Sequence, residues 1–243
     1  MERGLYIAAS GMLTELARQD QIANDLANAS TPGYKPERAA QRSFGELLLA
    51  NRATGARVGH LGLGAEIAEL RTDFTQGALR ETGEPLDVAL VGDGFLAVET
   101  AAGTRYTRNG QLALEADGRL VTATGHPVLA DNGQPLVVPG GEAVTIGADG
   151  TVSAGGRSVG RLAVVSLRDA RKEGDSLYAG TPGRPQAGTQ VKQGALEASA
   201  VNSARAMVDM IVSLRPFESS QRVIRALDET LGKGITAGGA GGS

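Results

Sequence analysis

There is no cysteine among the 243 residues, which excludes disulfides, thiolate nucleophiles, iron–sulfur clusters and cysteine-type zinc sites. A chain without thiols also suits an oxidising compartment, where nothing can mispair. Tryptophan is missing too, and four Phe with four Tyr bring the aromatic content to only 3%. A stacking platform for bases or sugars has too few rings to draw on. Charge of one sign is not concentrated: 24 Lys+Arg face 27 Asp+Glu, a net charge of −3. Nucleic acid and anionic membrane surfaces are therefore not expected partners, because phosphate affinity comes from a concentrated cationic surface. No run approaches the ~18 apolar residues of a membrane span, and the N-terminus shows no apolar stretch followed by a cleavage site. The sequence reads as soluble, with no direct membrane insertion and no cleaved signal peptide.

Reaction chemistry is equally thin. The only histidines are His60 and His126, both in Gly-rich stretches without a second ligand at metal spacing. Asp87, Asp93 and Glu99 flank a strand but have no activated nucleophile near them in sequence, and read as turn and surface carboxylates. Gly62-Leu63-Gly64 and Gly92-Asp93-Gly94-Phe95 are not followed by Lys-Ser/Thr and a helix, so they lack what a phosphate loop needs. The Asp-Gly pairs lack the alternating oxygens of a calcium loop. The expectation is a non-enzyme with no catalytic residues, no metal and no cofactor.

What is present is a pattern at each end. From residue 4 to 29, Leu5, Ala9, Met12, Leu16, Gln19, Ala23 and Leu26 recur with alternating spacings of four and three, the a/d stripe of a coiled-coil helix. Ser30-Thr31-Pro32-Gly33 should end it, since Pro32 pushes Thr31 out of helical geometry. A second seam, from about Val201 to Leu231, reads Ser203, Met207, Met210, Leu214, Phe217, Gln221, Ile224, Asp228 and Leu231. Asn202 or Ser203 should cap this helix and Gly232 with Gly234 should stop it. Pro216, inside it, predicts a kink or a break into two helices. Met207 and Met210 suit a surface that must repack against slightly different neighbours.

Between the ends, glycine at 35 residues is about twice the ordinary usage, and short apolar runs alternate with X-Gly turns. Asn109-Gly110, Asp117-Gly118, Asn132-Gly133 and Asp149-Gly150 punctuate candidate strands at Val88–Val91, Phe95–Thr100, Gln111–Glu115, Leu120–Thr122, Val137–Val138, Ala143–Ile146, Val152–Ser153 and Gly160–Leu167. The expected fold class is α+β, with long N- and C-terminal coiled-coil helices flanking a central antiparallel all-β domain. The boundaries are a helix at 1–33, a connector at 34–80, the β-domain at 81–170, a return connector at 171–200, a helix at 201–234 and a disordered Gly-rich tail at 235–243. Each seam needs a partner. The helices should pair with each other or with neighbouring subunits, the alternative being that both pack on the β-domain.

Ile22-Ala23-Asn24-Asp25-Leu26-Ala27-Asn28-Ala29-Ser30-Thr31-Pro32-Gly33-Tyr34-Lys35 resembles the N-terminal signature of the bacterial flagellar axial proteins, the rod, hook and hook-associated subunits. Within it, Asn24, Leu26, Ala27, Asn28, Thr31, Pro32, Gly33 and Tyr34 carry the motif. Gly83-Glu84-Pro85-Leu86-Asp87-Val88-Ala89, Gly92-Asp93-Gly94-Phe95-Leu96-Ala97-Val98, Tyr106-Thr107-Arg108-Asn109-Gly110, Asp117-Gly118-Arg119-Leu120-Val121-Thr122 and Gly125-His126-Pro127-Val128-Leu129 are similar in order and spacing to the β-domain of the rod subunits. Gly194-Ala195-Leu196-Glu197-Ala198-Ser199-Ala200-Val201-Asn202, with Met207-Val208-Asp209-Met210-Ile211, resembles the lead into that family's last helix. The length and the absence of a large inserted domain point to a basal-body rod subunit. The short connector at 45–64 favours the proximal-rod type, with the distal-rod type second.

The resemblance implies a structural subunit of the periplasmic drive shaft that transmits motor torque to the hook in cell motility. It implies a homo-oligomer in a helical assembly, with other rod subunits and neighbouring axial proteins as partners. It also implies passage through the flagellar type III export apparatus without a cleaved signal peptide, and a location in the rod of the basal body, in the periplasmic space. Leu5, Ala9, Met12, Leu16, Ala23, Leu26, Met207, Met210, Leu214, Phe217, Ile224 and Leu231 are then the expected subunit-interface residues. Two other classes stay open: a secreted β-rich adhesin or fibre protein, and a peptidoglycan-acting enzyme, for which no acid/base constellation stands out.

Overall fold

The computed structural model describes residues 2–43, 46–50, 57–62, 65–139, 142–185 and 188–239. They fall into two compact units, one of residues 1–27, 37–71 and 202–243 and one of 28–36 and 72–201.

The first unit contains α1 (Glu2–Ala27), β1 (Glu37–Ser43), β2 (Glu46–Ala50), β3 (Arg57–Gly62), β4 (Ala65–Thr72) and, numbered α2 as the second helix of the chain, Ser203–Gly239. Strands β1 and β4 pair, as do β2 and β3. Gln21 Oε1 accepts the Ala39 amide at 3.1 Å, tying β1 to α1. The helices run antiparallel against each other: Gly4 lies against Leu227, Gly11 against Ser220, and Gln19 Nε2 donates to the Ser213 carbonyl at 3.3 Å. Helix α1 stops where Pro32 requires, in a turn at 28–33 closed by the Thr31 amide on the Asn28 carbonyl at 3.1 Å. Asn202 caps α2, its Oδ1 accepting the Arg205 amide at 3.0 Å.

Of the kink or break expected at Pro216 the break does not hold, and neither does the stop at Gly232 and Gly234. The helix is not broken in two at Pro216 but runs unbroken from Ser203 to Gly239, past Gly232 and Gly234 and through the first five residues of the segment expected to be a disordered tail. Pro216 is exposed, and it removes the amide that would bond Val212, itself exposed, so water can satisfy that carbonyl. The last residues of the expected tail, 240–243, lie outside the described residues.

The second unit is antiparallel β. Its strands are β5 (Leu79–Glu81), β6 (Val88–Val91), β7 (Phe95–Thr100), β8 (Gly103–Thr107), β9 (Leu112–Leu114), β10 (Leu120–Thr122), β11 (Val144–Ile146), β12 (Thr151–Ala154), β13 (Arg157–Arg161), β14 (Val164–Gly174), β15 (Leu177–Gly183), β16 (Gln190–Gln193) and β17 (Ala195–Glu197). A closed barrel runs β14-β15-β8-β7, and β11-β12-β13 form a three-stranded sheet. Strand β5 pairs with β17, β6 with β16 and β9 with β10. The four X-Gly pairs share one device: Asn109, Asp117, Asn132 and Asp149 each accept, on Oδ1, the amide two residues on, at 3.0–3.2 Å.

Strand β7 is buried on both faces and its side chains alternate between two cores. Leu96 and Val98 join Val88, Leu90, Leu120, Val128, Leu136 and Val152 on one side. Phe95 and Ala97 join Tyr106, Leu129 and Tyr178 on the other, where Phe74, Phe95 and Tyr178 meet edge to face at 5.4–5.6 Å. Each fully buried aliphatic or Phe side chain contributes about 1.5–3 kcal/mol.

The strand pattern departs from the sequence reading in four places, the first being β8 (Gly103–Thr107), which matches none of the candidate strands. Gly160–Leu167 is the end of β13 and the start of β14, and Val137–Val138 makes only an isolated bridge through Val137 to Arg119. The stretches expected to be connectors carry strands, β1–β5 within 34–80 and most of β14–β17 within 171–200. Strand β14 shows why: beyond Leu167 it reads Arg168-Asp169-Ala170-Arg171-Lys172-Glu173-Gly174, mostly exposed, held by its ladder to β15 without apolar alternation to reveal it.

Candidate functional site

Two features of the chain offer themselves, one in each unit. The first is the helix pair. Along α2 the positions turned inward are Ala206, Met210, Ser213, Phe217, Ser220, Ile224, Leu227 and Leu231, again at spacings of four and three. This seam shares Met210, Phe217, Ile224 and Leu231 with the one read from sequence, but replaces Met207, Leu214, Gln221 and Asp228 by their predecessors. Met207 and Leu214 are exposed, whereas Ser213 is buried and Leu227 and Ser220 lie against Gly4 and Gly11 of α1.

A second set of apolar side chains faces away from the pair. On α1, Leu5, Tyr6, Leu13 and Leu16 are exposed, Leu13 at 68%. On α2, Met207, Val208, Ile211, Val212, Leu214 and Val223 are exposed, Ile211 at 60%. Of the other residues expected at a subunit interface, Ala23 is exposed and Ala9, Met12, Leu26, Met210, Phe217, Ile224 and Leu231 are half-buried. Leu13, Val208, Ile211 and Val212 did not fall on either seam as read; a wider stripe than strict a/d would have included them. Exposed apolar surface of this extent is the kind that interaction sites carry.

The second feature lies where the chain leaves the β unit. Gly33 has φ = 67°, and a side chain there would run into the Arg108 carbonyl oxygen, so only glycine fits. Its amide donates to the Glu197 carbonyl at 2.8 Å, and the Ala200 amide donates to the Tyr34 carbonyl at 3.1 Å. Tyr34 is buried, with the Lys172 ammonium 3.7 Å above its ring. Lys35 Nζ donates to Glu197 Oε1 at 2.5 Å and to the Thr75 carbonyl at 2.6 Å. The same Oε1 accepts the Gly77 amide at 2.7 Å, and Glu197 Oε2 accepts from Arg108 at 3.4 Å. Arg108 also donates to the Gly92 carbonyl at 2.9 Å and stacks over Phe95.

Lys35, Arg108 and Glu197 are all buried. Burial pulls the Lys35 ammonium below its usual basicity while Glu197 pushes it back up, and Arg108 is pulled down by burial in the same way. Two cations thus share one carboxylate, fixed by charge-assisted hydrogen bonds. None of the three stood out as a site residue in the sequence, although each sits in a motif quoted above.

Among the described residues no group of His, Asp and Glu is placed to hold a metal ion, and no helix is long and apolar enough to cross a membrane. His126 lies in a turn and is partly buried, its amide bonded to Thr122 Oγ1; His60 is in β3, with its side chain outside the described residues.

Family models match three stretches of the chain: "Flagella basal body rod protein" at 5–35, "Flagellar hook protein FlgE/F/G D1 domain" at 89–154 and "Flagellar basal body rod FlgEFG protein C-terminal" at 192–237. The chain is 37% identical to flagellar basal-body rod protein FlgF of Escherichia coli (strain K12), covering 96% of this chain and 97% of that one. It is 33% identical to flagellar basal-body rod protein FlgG of Bacillus subtilis (strain 168), over 95% and 97%. Flagellar hook-basal body complex protein FlhO of the same organism is 32% identical over 96% and 97%. The first and last matched stretches contain Lys35 and Glu197, and with similarity along nearly its whole length the chain belongs to the flagellar basal-body rod protein family, a family of structural and not catalytic proteins.

Proposed function

We propose that the chain is a self-assembling subunit of the rod, in which α1 and α2 form coiled-coil contacts with the helices of neighbouring copies and of adjoining axial proteins. The observation that carries this reading is the outward apolar surface of the helix pair, Leu5, Leu13 and Leu16 on α1 with Met207, Ile211 and Leu214 on α2. An isolated copy leaves that surface in water; heterologous contacts between copies bury it and, because they need not close, build a helix. The β unit, with its own cores, supplies the wall of the shaft that carries torque to the hook through the periplasm. The short segment at 45–64 favours the proximal part of the rod. Export through the flagellar type III apparatus brings the subunit to its place.

Deletion of the chain in its source organism, with electron microscopy of the cell envelope and a complementation control, tests the reading. Loss of hook and filament above a persisting membrane base is expected. Complete, rotating flagella in the deletion strain overturn it and return the adhesin reading to consideration.

A further inference from the structure

The charged cluster beneath the two ends of the β unit has a geometry that the rod reading does not use. Glu197 is bonded through its backbone to Gly33 and through its carboxylate to Lys35, Gly77 and Arg108. The chain before residue 33 leads to α1, and the chain after residue 200 leads to α2. One side chain therefore holds both departing arms against the rest of the unit. We propose that Lys35 and Glu197 are positioning residues that make the two arms order together, so that neither arm is held in its native place while the other is loose.

Three observations carry this. The ties between the arms are reciprocal, since Gly33 donates to the Glu197 carbonyl at 2.8 Å and Ala200 donates back to the Tyr34 carbonyl at 3.1 Å. The contacts of Lys35 Nζ reach outside its own arm, to Thr75 and Glu197, so withdrawal of the first arm leaves the carboxylate short of a buried partner. Withdrawal of the second arm does more, because it takes from Lys35 and Arg108 the one buried carboxylate that both bond, leaving only the charges of Asp73 and Asp93 to oppose them. Each arm thus loses its electrostatic complement when the other departs. This is the condition for coupled local opening, in contrast to independent fraying of two chain ends. The proposal concerns the free chain and does not rest on the rod reading.

Hydrogen exchange of the full-length, unassembled chain, read by peptide, tests it with Lys35→Ala and Glu197→Gln. Each variant is expected to speed exchange about tenfold or more in both 28–36 and 195–201, while 144–154 keeps its protection. Val152→Ala, at a fully buried position of β12, is the control for a general loss of stability and should raise exchange across the unit. The proposal is overturned if each variant loosens only the arm that carries it, or if both reproduce the uniform pattern of Val152→Ala. If Glu197→Gln does not fold, Lys35→Ala decides between the same outcomes. Failure of both to fold also overturns it, because the pair then supports the whole unit and not its arms.

Discussion

The ammonium of Lys35 and the carboxylate of Glu197 meet at 2.5 Å across 162 residues of chain, with side-chain exposures of 0% and 1%. A single broken partner in such a place leaves a buried charge uncompensated. Glu197→Gln is expected to lower the free energy of opening the 28–36 and 195–201 arms by about 3–5 kcal/mol, read from their amide protection by hydrogen exchange.

The same pair gives an alkaline signature. Burial depresses the Lys35 pKa below its ordinary 10.5, so between its folded value and 10.5 the unfolded chain binds more protons than the folded one. Stability from this residue therefore rises with pH across that window and is lost as pH falls through the folded value. Urea midpoints taken from pH 8 to 10.5 should show this slope in the wild-type chain and not in Lys35→Met.

Gly33 and Gly83 form a matched pair for a test of space against conformation. Both have positive φ, 67° and 77°, but a side chain at Gly33 meets the Arg108 carbonyl whereas one at Gly83 meets nothing within 4 Å. Gly83→Ala should cost about 1 kcal/mol from left-handed geometry alone. Gly33→Ala should cost clearly more, about 3 kcal/mol, with thermal melts of the two variants as the comparison.

The β14–β15 hairpin turns through Asp175 and Ser176, with φ of 47° and 55° and no glycine in either place. A turn with positive φ at both central residues favours glycine at the second. Ser176→Gly is expected to stabilise the unit by about 1 kcal/mol, since the Thr107 hydroxyl bonds the Ser176 backbone carbonyl and loses nothing. Differential scanning calorimetry reads the gain.

Leu16 is 44% exposed on α1. Leu16→Asp should therefore leave the unfolding free energy of the monomer within about 0.5 kcal/mol and abolish incorporation into the rod, scored by motility and by the presence of hooks. Normal incorporation of the variant would remove that face of α1 from the interface.

The parts of the fold that show in the sequence are those whose signal is local. Pro32 sets the end of α1, Asn202 caps α2, and β6, β7 and β10 fall where apolar runs meet turns, because burial of those strands requires apolar residues in succession. The α2 seam was legible in period but not in phase. Period follows from apolar spacing, whereas phase depends on which residues meet α1, and Ser213 and Ser220, which do, carry no hydrophobic signal. Strand β14 is charged on its exposed stretch and gives no alternation to read. The Lys35–Glu197 contact is illegible for a different reason: nothing near either residue announces a partner so far along the chain, and ionic residues ordinarily belong to the surface.

Helix α1 is made well before α2, against which it packs, with about 175 residues between them. At a synthesis rate of roughly 5–20 residues per second, the first helix waits on the order of ten to forty seconds before its intrachain partner exists. Throughout that interval its glycine face has nothing native to meet within the chain. The helical unit thus waits on the emergence of α2, and no shorter nascent chain can complete it.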